Sequence, residues 1–140
     1  MTIEVNIFAV FFAAIASMIV GFLWYSPILF AKPWMKLMGY TQKGMDEERK
    51  GMEKLYALSF VAALVTAYIL SHVMVLSVSF YSDPWVITGV TTAFWLWLGF
   101  IMPVQLTDTI FGSKKWQLFA INTGYQLASI LAMGVVLGLF

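Results

Sequence analysis

The stretch of sequence that decides the fold class is residues 55–79, LYALSFVAALVTAYILSHVMVLSVS. It contains no Asp, Glu, Lys or Arg. An α-helix crosses the hydrocarbon core of a bilayer with about 20 predominantly apolar residues, whereas a strand of a membrane barrel needs only about 9–11. This stretch is therefore predicted to be a transmembrane helix.

Three further stretches carry at most one charged residue each: about residues 5–30, 84–110 and 116–140. The first is longer than the roughly 7–15 apolar residues of a signal peptide and follows no Lys or Arg, so we expect a retained helix. Lipid offers no hydrogen-bond partners to the backbone, which makes each span helical. The sequence predicts one domain, residues 1–140, an all-α integral membrane protein built as a four-transmembrane-helix bundle.

The composition excludes several classes of protein. Hydrophobic residues make up 61% of the chain and charged residues 11%, against roughly 45–50% and 25% in an ordinary soluble domain. Eight Lys and Arg nearly balance seven Asp and Glu, which lacks the basic footprint of a nucleic-acid-binding protein. The chain has no Cys, so disulfides and thiolate chemistry are excluded. We expect the lipid bilayer, and no nucleic acid, as a partner.

The basic residues predict the orientation of the bundle. All eight lie in the loop between spans one and two or in the loop between spans three and four: Lys32, Lys36, Lys43, Arg49, Lys50, Lys54, Lys114 and Lys115. Loops rich in Lys and Arg stay on the cytoplasmic side of a membrane. We therefore expect a multi-pass protein of the cell's inner (plasma) membrane with both termini outside.

The first loop, residues 32–54, carries a short amphipathic segment. Pro33 favours a helix start and Gly39 a helix end. We expect this short helix to lie in the membrane interface, with apolar residues on one face and lysines on the other: Trp34, Leu37 and Met38 against Lys32 and Lys36. Further along the loop, Asp46 and Lys50 are predicted to pair at i and i+4 on a helical extension of span two.

Small residues recur every fourth position in three of the spans. The sets are Ala9, Ala13, Ser17 and Gly21; Ser59, Ala63, Ala67 and Ser71; and Ala120, Gly124, Ala128 and Ala132. Such rows let helix backbones approach closely in lipid. The sequence leaves two packing partners possible for these rows: another helix of the same chain, or a helix of a second subunit. Because four helices have a thin interior, we expect a homo-oligomer.

Polar side chains gather in the half of the spans next to the basic loops. Gln105 and Asp108 share a face of span three, Asn122 and Gln126 share a face of span four, and Tyr25 lies near the end of span one. These five residues are the candidate polar pocket, able to take a small-molecule or ion ligand. Two alternatives stay open: a closed hydrogen-bonded clasp, and for Asp108 an interfacial position beside Lys114 and Lys115. Pro103 is expected to kink span three just before Gln105.

His72 is the candidate ionisable group inside the membrane. Its imidazole can relay a proton or bind a ligand, because ionisable groups in transmembrane segments are functional candidates by default. The competing interpretation is a neutral His72 that hydrogen-bonds a neighbouring group and stabilises the bundle.

The sequence shows no catalytic constellation: it has one His, no zinc-binding His pair, no phosphate loop and no nucleophile elbow. We therefore expect no enzyme activity, no metal and no cofactor. The polar faces favour a small transporter or channel component with a polar vestibule in the inner leaflet. The alternative is a non-catalytic structural or interaction protein that assembles through its small-residue faces.

Two segments carry a resemblance to a known family. Residues 21–27, GFLWYSP, are followed by Phe30, Lys32 and Trp34, and residues 116–122, WQLFAIN, are followed by Gly124 and Tyr125. Together they resemble the membrane proteins that contain domain of unknown function 1761. The resemblance covers nearly the whole chain and implies a small four-span inner-membrane protein. It supplies no reaction, ligand or catalytic residue.

Overall fold

The computed structural model describes residues 3–41, 43–44 and 51–140, so the predicted pair of Asp46 and Lys50 lies outside the described residues. Within these ranges the chain forms helices α1 (Ile7–Trp24), α2 (Ala31–Met38), α3 (Met52–Tyr81), α4 (Trp85–Leu96), a π-helical turn (Trp97–Ile101), α5 (Met102–Phe111) and α6 (Trp116–Leu139). Helix α4, the π-turn and α5 run continuously and form the third span. Four helices are thus long and apolar enough to cross a membrane, which confirms the predicted fold class.

Helix α1 begins and ends at residues with clear local causes. The side-chain oxygen of Asn6 accepts a hydrogen bond from the backbone N–H of Ala9 at 3.2 Å, which caps the first turn. The helix ends at Trp24, short of the predicted residue 30. Ser26 precedes Pro27, and proline disfavours the helical conformation at the residue before it. Residues 25–30 therefore form turns.

Helix α2 is the predicted short helix of the first loop. It begins at Ala31, two residues earlier than predicted, which leaves Pro33 in the first turn, where a missing N–H costs nothing. It ends at Gly39, as predicted, and Gly39 adopts the left-handed conformation with φ of 77°.

The third span departs from regular α-helix just before Pro103. Proline has no N–H to donate back along the helix, and in the preceding turn the N–H of Met102 bonds to the carbonyl of Trp97, five residues earlier. This bonding defines the π-turn. The irregularity expected at Pro103 therefore takes the form of a π-turn that separates the two halves of the span.

The four spans form an antiparallel bundle in the order α1, α3, third span, α6, with α6 also contacting α1. We call the end that holds the loops 25–51 and 112–115 the basic end, and the opposite end, with both termini and the 82–84 turn, the terminal end. The buried apolar core lies mainly in the terminal half, and its tightest members are Ala13, Ala14, Ala67, Leu70, Met74 and Ala93.

The closest approach between helices joins the third span to α6. A methyl group added at Gly89 would lie 2.8 Å from the carbonyl carbon of Gly134, and one added at Gly138 would lie 2.6 Å from the Cα of Val86. Only glycine fits at such a backbone approach. The terminal half of the bundle is therefore sealed at the crossing of these helices.

The three predicted rows of small residues differ in how far they pack against other helices. In α1, Ala9, Ala13 and Ser17 are buried, and in α3, Ala63, Ala67 and Ser71 are buried, so both rows pack within the chain. The row predicted on α6 is different, because Ala120 is exposed and the close approach is made by Gly134 and Gly138. The large apolar side chains that remain outside the bundle, such as Phe8, Leu58, Phe100 and Phe111, form its lipid-facing surface.

Candidate functional site

Two cavities occupy the basic half of the bundle and meet at Ser59 and Tyr125, which line both. We call the one near the membrane middle the central cleft; its volume is about 490 Å³. The other, of about 680 Å³, lies beneath α2 and is called the basal cavity. The terminal half holds most of the apolar core, although Ser71, Thr88 and Thr92 are also buried there.

The central cleft is lined by uncharged polar side chains. They come from all four spans: Ser17, Ser59, Thr66, Gln105, Tyr125, Gln126 and Ser129. Phe100 and Val104 also line it, with 73% and 65% of their surfaces exposed. Outward-facing residues at the edge mean that the space is a cleft between α3 and the third span, and not a closed void.

Two side-chain hydrogen bonds shape the cleft. The hydroxyls of Ser17 and Ser129 are 2.6 Å apart and join α1 to α6. The hydroxyl of Thr123 donates to Oε1 of Gln105, which fixes that amide against α6. Gln105 is thus bonded to α6, but its partner is Thr123, and not Asn122 or Gln126 as the predicted clasp required.

Several polar groups in the cleft make no hydrogen bond to another described residue. They are the side-chain amide of Gln126, the hydroxyl of Ser59 and the hydroxyl of Tyr125. An amide held in hydrocarbon without a partner costs several kcal/mol. Water or a polar ligand in the cleft removes this cost.

The basal cavity is roofed by α2. Residues Ala31, Trp34, Met35 and Met38 line it, and their spacing places them on one face of the helix. Of the three apolar residues expected on the membrane-facing side of this helix, Trp34 and Met38 line the cavity and Leu37 does not. At the floor, the hydroxyl of Tyr25 donates to Oδ1 of Asn122 at 2.8 Å.

Helix α6 is held from both sides by tryptophan indoles in the basic half. The indole N–H of Trp24 donates to the carbonyl of Ile121 at 3.0 Å, and that of Trp97 donates to the carbonyl of Thr123 at 3.1 Å. A Cβ atom at Gly124 would lie 3.0 Å from the ring of Trp24. The absence of a side chain at Gly124 therefore lets the ring reach the backbone.

The two segments that carry the family resemblance thus meet in space. A family model described as protein of unknown function (DUF1761) matches residues 8–138. The chain belongs to this family. No curated protein and no solved structure matches the chain.

Contacts between α1 and α6 join the two segments that carry the resemblance. Residues 24 and 25 of the first segment bond residues 121 and 122 of the second. Gly21 of the first lies against Tyr125, whose hydroxyl would be 3.2 Å from a Cβ at that position. Residues of these two segments therefore build the wall between α1 and α6 at the basal cavity.

The remaining predicted site residues, Asp108 and His72, line neither cavity, although Lys114, the partner of Asp108, lines the basal cavity. Asp108 forms an ion pair with Lys114, and both side chains are about half exposed or more. This is the interfacial alternative considered for Asp108. His72 sits on α3 with its Nδ1 2.9 Å from the carbonyl of Tyr68 and its ring against the Tyr68 ring. The structure thus groups Gln105 with Gln126, and Tyr25 with Asn122, and leaves Asp108 and His72 outside.

Sequence reasoning did not assign a pocket role to Ser17, Ser59, Thr66 or Tyr125. Ser17 and Ser59 stand in the rows of small residues and were interpreted as packing positions only. Their polar character was the available signal, because hydroxyls face the bundle interior more often than lipid. Ser17 is bonded to a residue 112 positions away, which no local pattern reveals.

Proposed function

We propose that the protein is a non-enzymatic component of a transporter or channel, and that the central cleft is part of its solute pathway. The observation that carries the proposal is the unpartnered Gln126 amide in a cleft near the middle of the membrane. The basal cavity lies next to the cleft on the side of the basic end, and Ser59 and Tyr125 line both. A pathway for polar solutes needs such groups at this depth.

Stability alone gives little reason for these polar residues. Hydrogen bonds between transmembrane helices contribute only about 0.6 kcal/mol on average, and an unpaired amide opposes folding. The terminal half packs the same helices mainly through Gly, Ala and apolar residues, with the smaller hydroxyl side chains of Ser71, Thr88 and Thr92 buried among them. The polar lining is therefore best explained by a ligand or by water.

The alternative, a structural protein that assembles through small-residue faces, has less support. Three of the four members of each row on α1 and α3 are buried inside the chain and are not free for a partner. A homo-oligomer still fits the transport proposal, because a second copy placed over the open side between α3 and the third span would shield the polar floor from lipid. In the orientation predicted from the basic residues, the basal cavity would face the cytoplasm.

Cysteine accessibility tests the proposal in this cysteine-free chain. Gln126→Cys places a thiol in the cleft, and Val61→Cys places one at a similar depth on the outward face of α3, where the side chain is 55% exposed. A membrane-impermeant thiol reagent added to proteoliposomes is expected to label the first and spare the second. Protection of both thiols from either side of the membrane would contradict a water-accessible pathway.

Solute flux completes the test. In proteoliposomes, Gln126→Leu is expected to reduce the entry of small polar solutes relative to the unmodified protein. Thr91→Val is the matched control, because Thr91 is exposed and its hydroxyl bonds only within its own helix. Equal entry for all three proteins would refute a role of the cleft in transport.

A further inference from the structure

We infer that the central cleft takes an uncharged group that both donates and accepts hydrogen bonds, such as a hydroxyl or a carboxamide, and excludes ions. This inference rests on the proposed function and names the class of its solute. It is carried by the charge, the hydrogen-bond capacity and the openness of the cleft.

The charge balance of the lining is the first argument. None of the described residues that line the cleft is Asp, Glu, Lys, Arg or His. The charged pair that lies nearest along the third span, Asp108 with Lys114, neutralises itself at the basic end and lines no part of the cleft. An ion that leaves water without a counter-charge pays several kcal/mol. The lining offers an ion no such counter-charge.

The hydrogen-bond capacity is the second argument. The Gln126 amide offers an N–H₂ donor and a carbonyl acceptor, and the Ser59 and Tyr125 hydroxyls each donate and accept. Oε1 of Gln105 is already bonded to Thr123, so its amide nitrogen is left for a ligand. A carboxylate can only accept and an ammonium group can only donate. A neutral amide or hydroxyl satisfies both kinds of group at once.

Because the central cleft is open between α3 and the third span, an uncharged amide or hydroxyl can reach it from water or from the bilayer. A small water-borne amide or polyol fits the volume of about 490 Å³. A molecule dissolved in the bilayer can also place its uncharged polar end on Gln126 while its chain passes Phe100 and Val104, which face lipid. The recognised chemistry is the same in both cases.

Binding is tested on the full protein in detergent micelles, because a ligand that binds only the folded state raises the unfolding temperature. The probes are matched pairs that differ in charge: acetamide against acetate, and octanamide against octanoate. We expect the uncharged member of at least one pair to raise the unfolding temperature, with an affinity at least about 100-fold above that of its anion. Stabilisation by acetamide indicates a water-borne source, and stabilisation by octanamide alone indicates a membrane-borne one.

Variants of cleft residues test whether the probes stabilise the protein by binding in the cleft. Gln126→Leu is expected to abolish the stabilisation by the uncharged probe, and Thr91→Val is expected to retain it. Gln126→Glu supplies a negative charge, so octylammonium is expected to replace octanamide as the stabilising probe.

Equal stabilisation by both members of each pair that binds would overturn the inference, as would the absence of stabilisation by all four probes. Neither result would alter the thiol labelling of Gln126→Cys, so the inference can fail while the proposed function stands. If instead Gln126→Cys resists labelling, the proposed function fails, whichever probe binds.

Discussion

Replacement of Gly89 by alanine is the sharpest test of how the bundle is closed. The added methyl group would lie 2.8 Å from the carbonyl carbon of Gly134, against 3.4 Å or more in ordinary contact, and closer still to its oxygen. The obstacle is backbone, which cannot rotate away as a side chain would. Helices α4 and α6 must therefore separate by about 0.6 Å or more at their crossing.

The change in the free energy of unfolding caused by Gly89→Ala combines two opposing contributions. Overpacking of a well-packed interior typically costs about 1–3 kcal/mol, while replacing a helical glycine by alanine gains about 0.5–1 kcal/mol. We expect Gly89→Ala to lower the free energy of unfolding by about 1–2 kcal/mol. Gly99→Ala is the matched control, because nothing lies within 4 Å of a Cβ atom at Gly99. This control is expected to be neutral or slightly stabilising.

The free energy of unfolding is measured by reversible denaturation of both variants in mixed micelles, followed by circular dichroism. The expected separation between the variants corresponds to about one to two orders of magnitude in the unfolding equilibrium constant. If Gly89→Ala proved as stable as Gly99→Ala, the close crossing of α4 and α6 would not exist as described.

Four further outcomes are expected. Trp24→Phe removes an indole donor and should lower the free energy of unfolding by about 0.5–1.5 kcal/mol, whereas Trp95→Phe, at a side chain that is 65% exposed, should leave it unchanged. Asp108→Asn should change it by less than about 1 kcal/mol and preserve thiol labelling in the cleft; a large effect would place Asp108 in the site. His72→Ala should leave solute entry intact, and a loss of flux would contradict its position outside both cavities. A reporter fused after Phe140 should be active outside the cell, and cytoplasmic activity would reverse the orientation.

The spans could be predicted from the sequence because lipid imposes a single strong rule. A run without charge that is long enough must become a helix, and all four runs did so. Local backbone chemistry also predicted that α2 ends at Gly39. The end of α1 was missed by six residues, because the effect of Pro27 on Ser26 outweighed the apolar character of residues 25–30.

The candidate site was predictable only in part, since it depends on which helix faces meet. The polar character and depth of Gln105 and Gln126 were visible in the sequence, and both line the cleft. The partner of Gln105, Thr123, was not visible in the sequence, because periodicity shows which residues share a helix face but not how one helix is rotated against another. Gly124 illustrates the same limit: it was assigned to helix–helix packing, yet it accommodates the ring of Trp24.

The two ends of the bundle hold their helices together in different ways, and this difference bears on the proposed transport. At the terminal end, glycine and alanine bring backbones into contact over Gly89 and Gly134, which leaves no space for a solute. At the basic end, side chains join α6 to its neighbours: the indole of Trp97 bonds the backbone of α6, and the hydroxyls of Ser17 and Ser129 bond each other. The space between these helices is the central cleft. Close backbone contacts are lost over small displacements, whereas long side chains can follow a moving helix. If the cleft is a solute pathway, as proposed, the glycine crossing of Gly89 and Gly134 is the barrier that separates it from the terminal end.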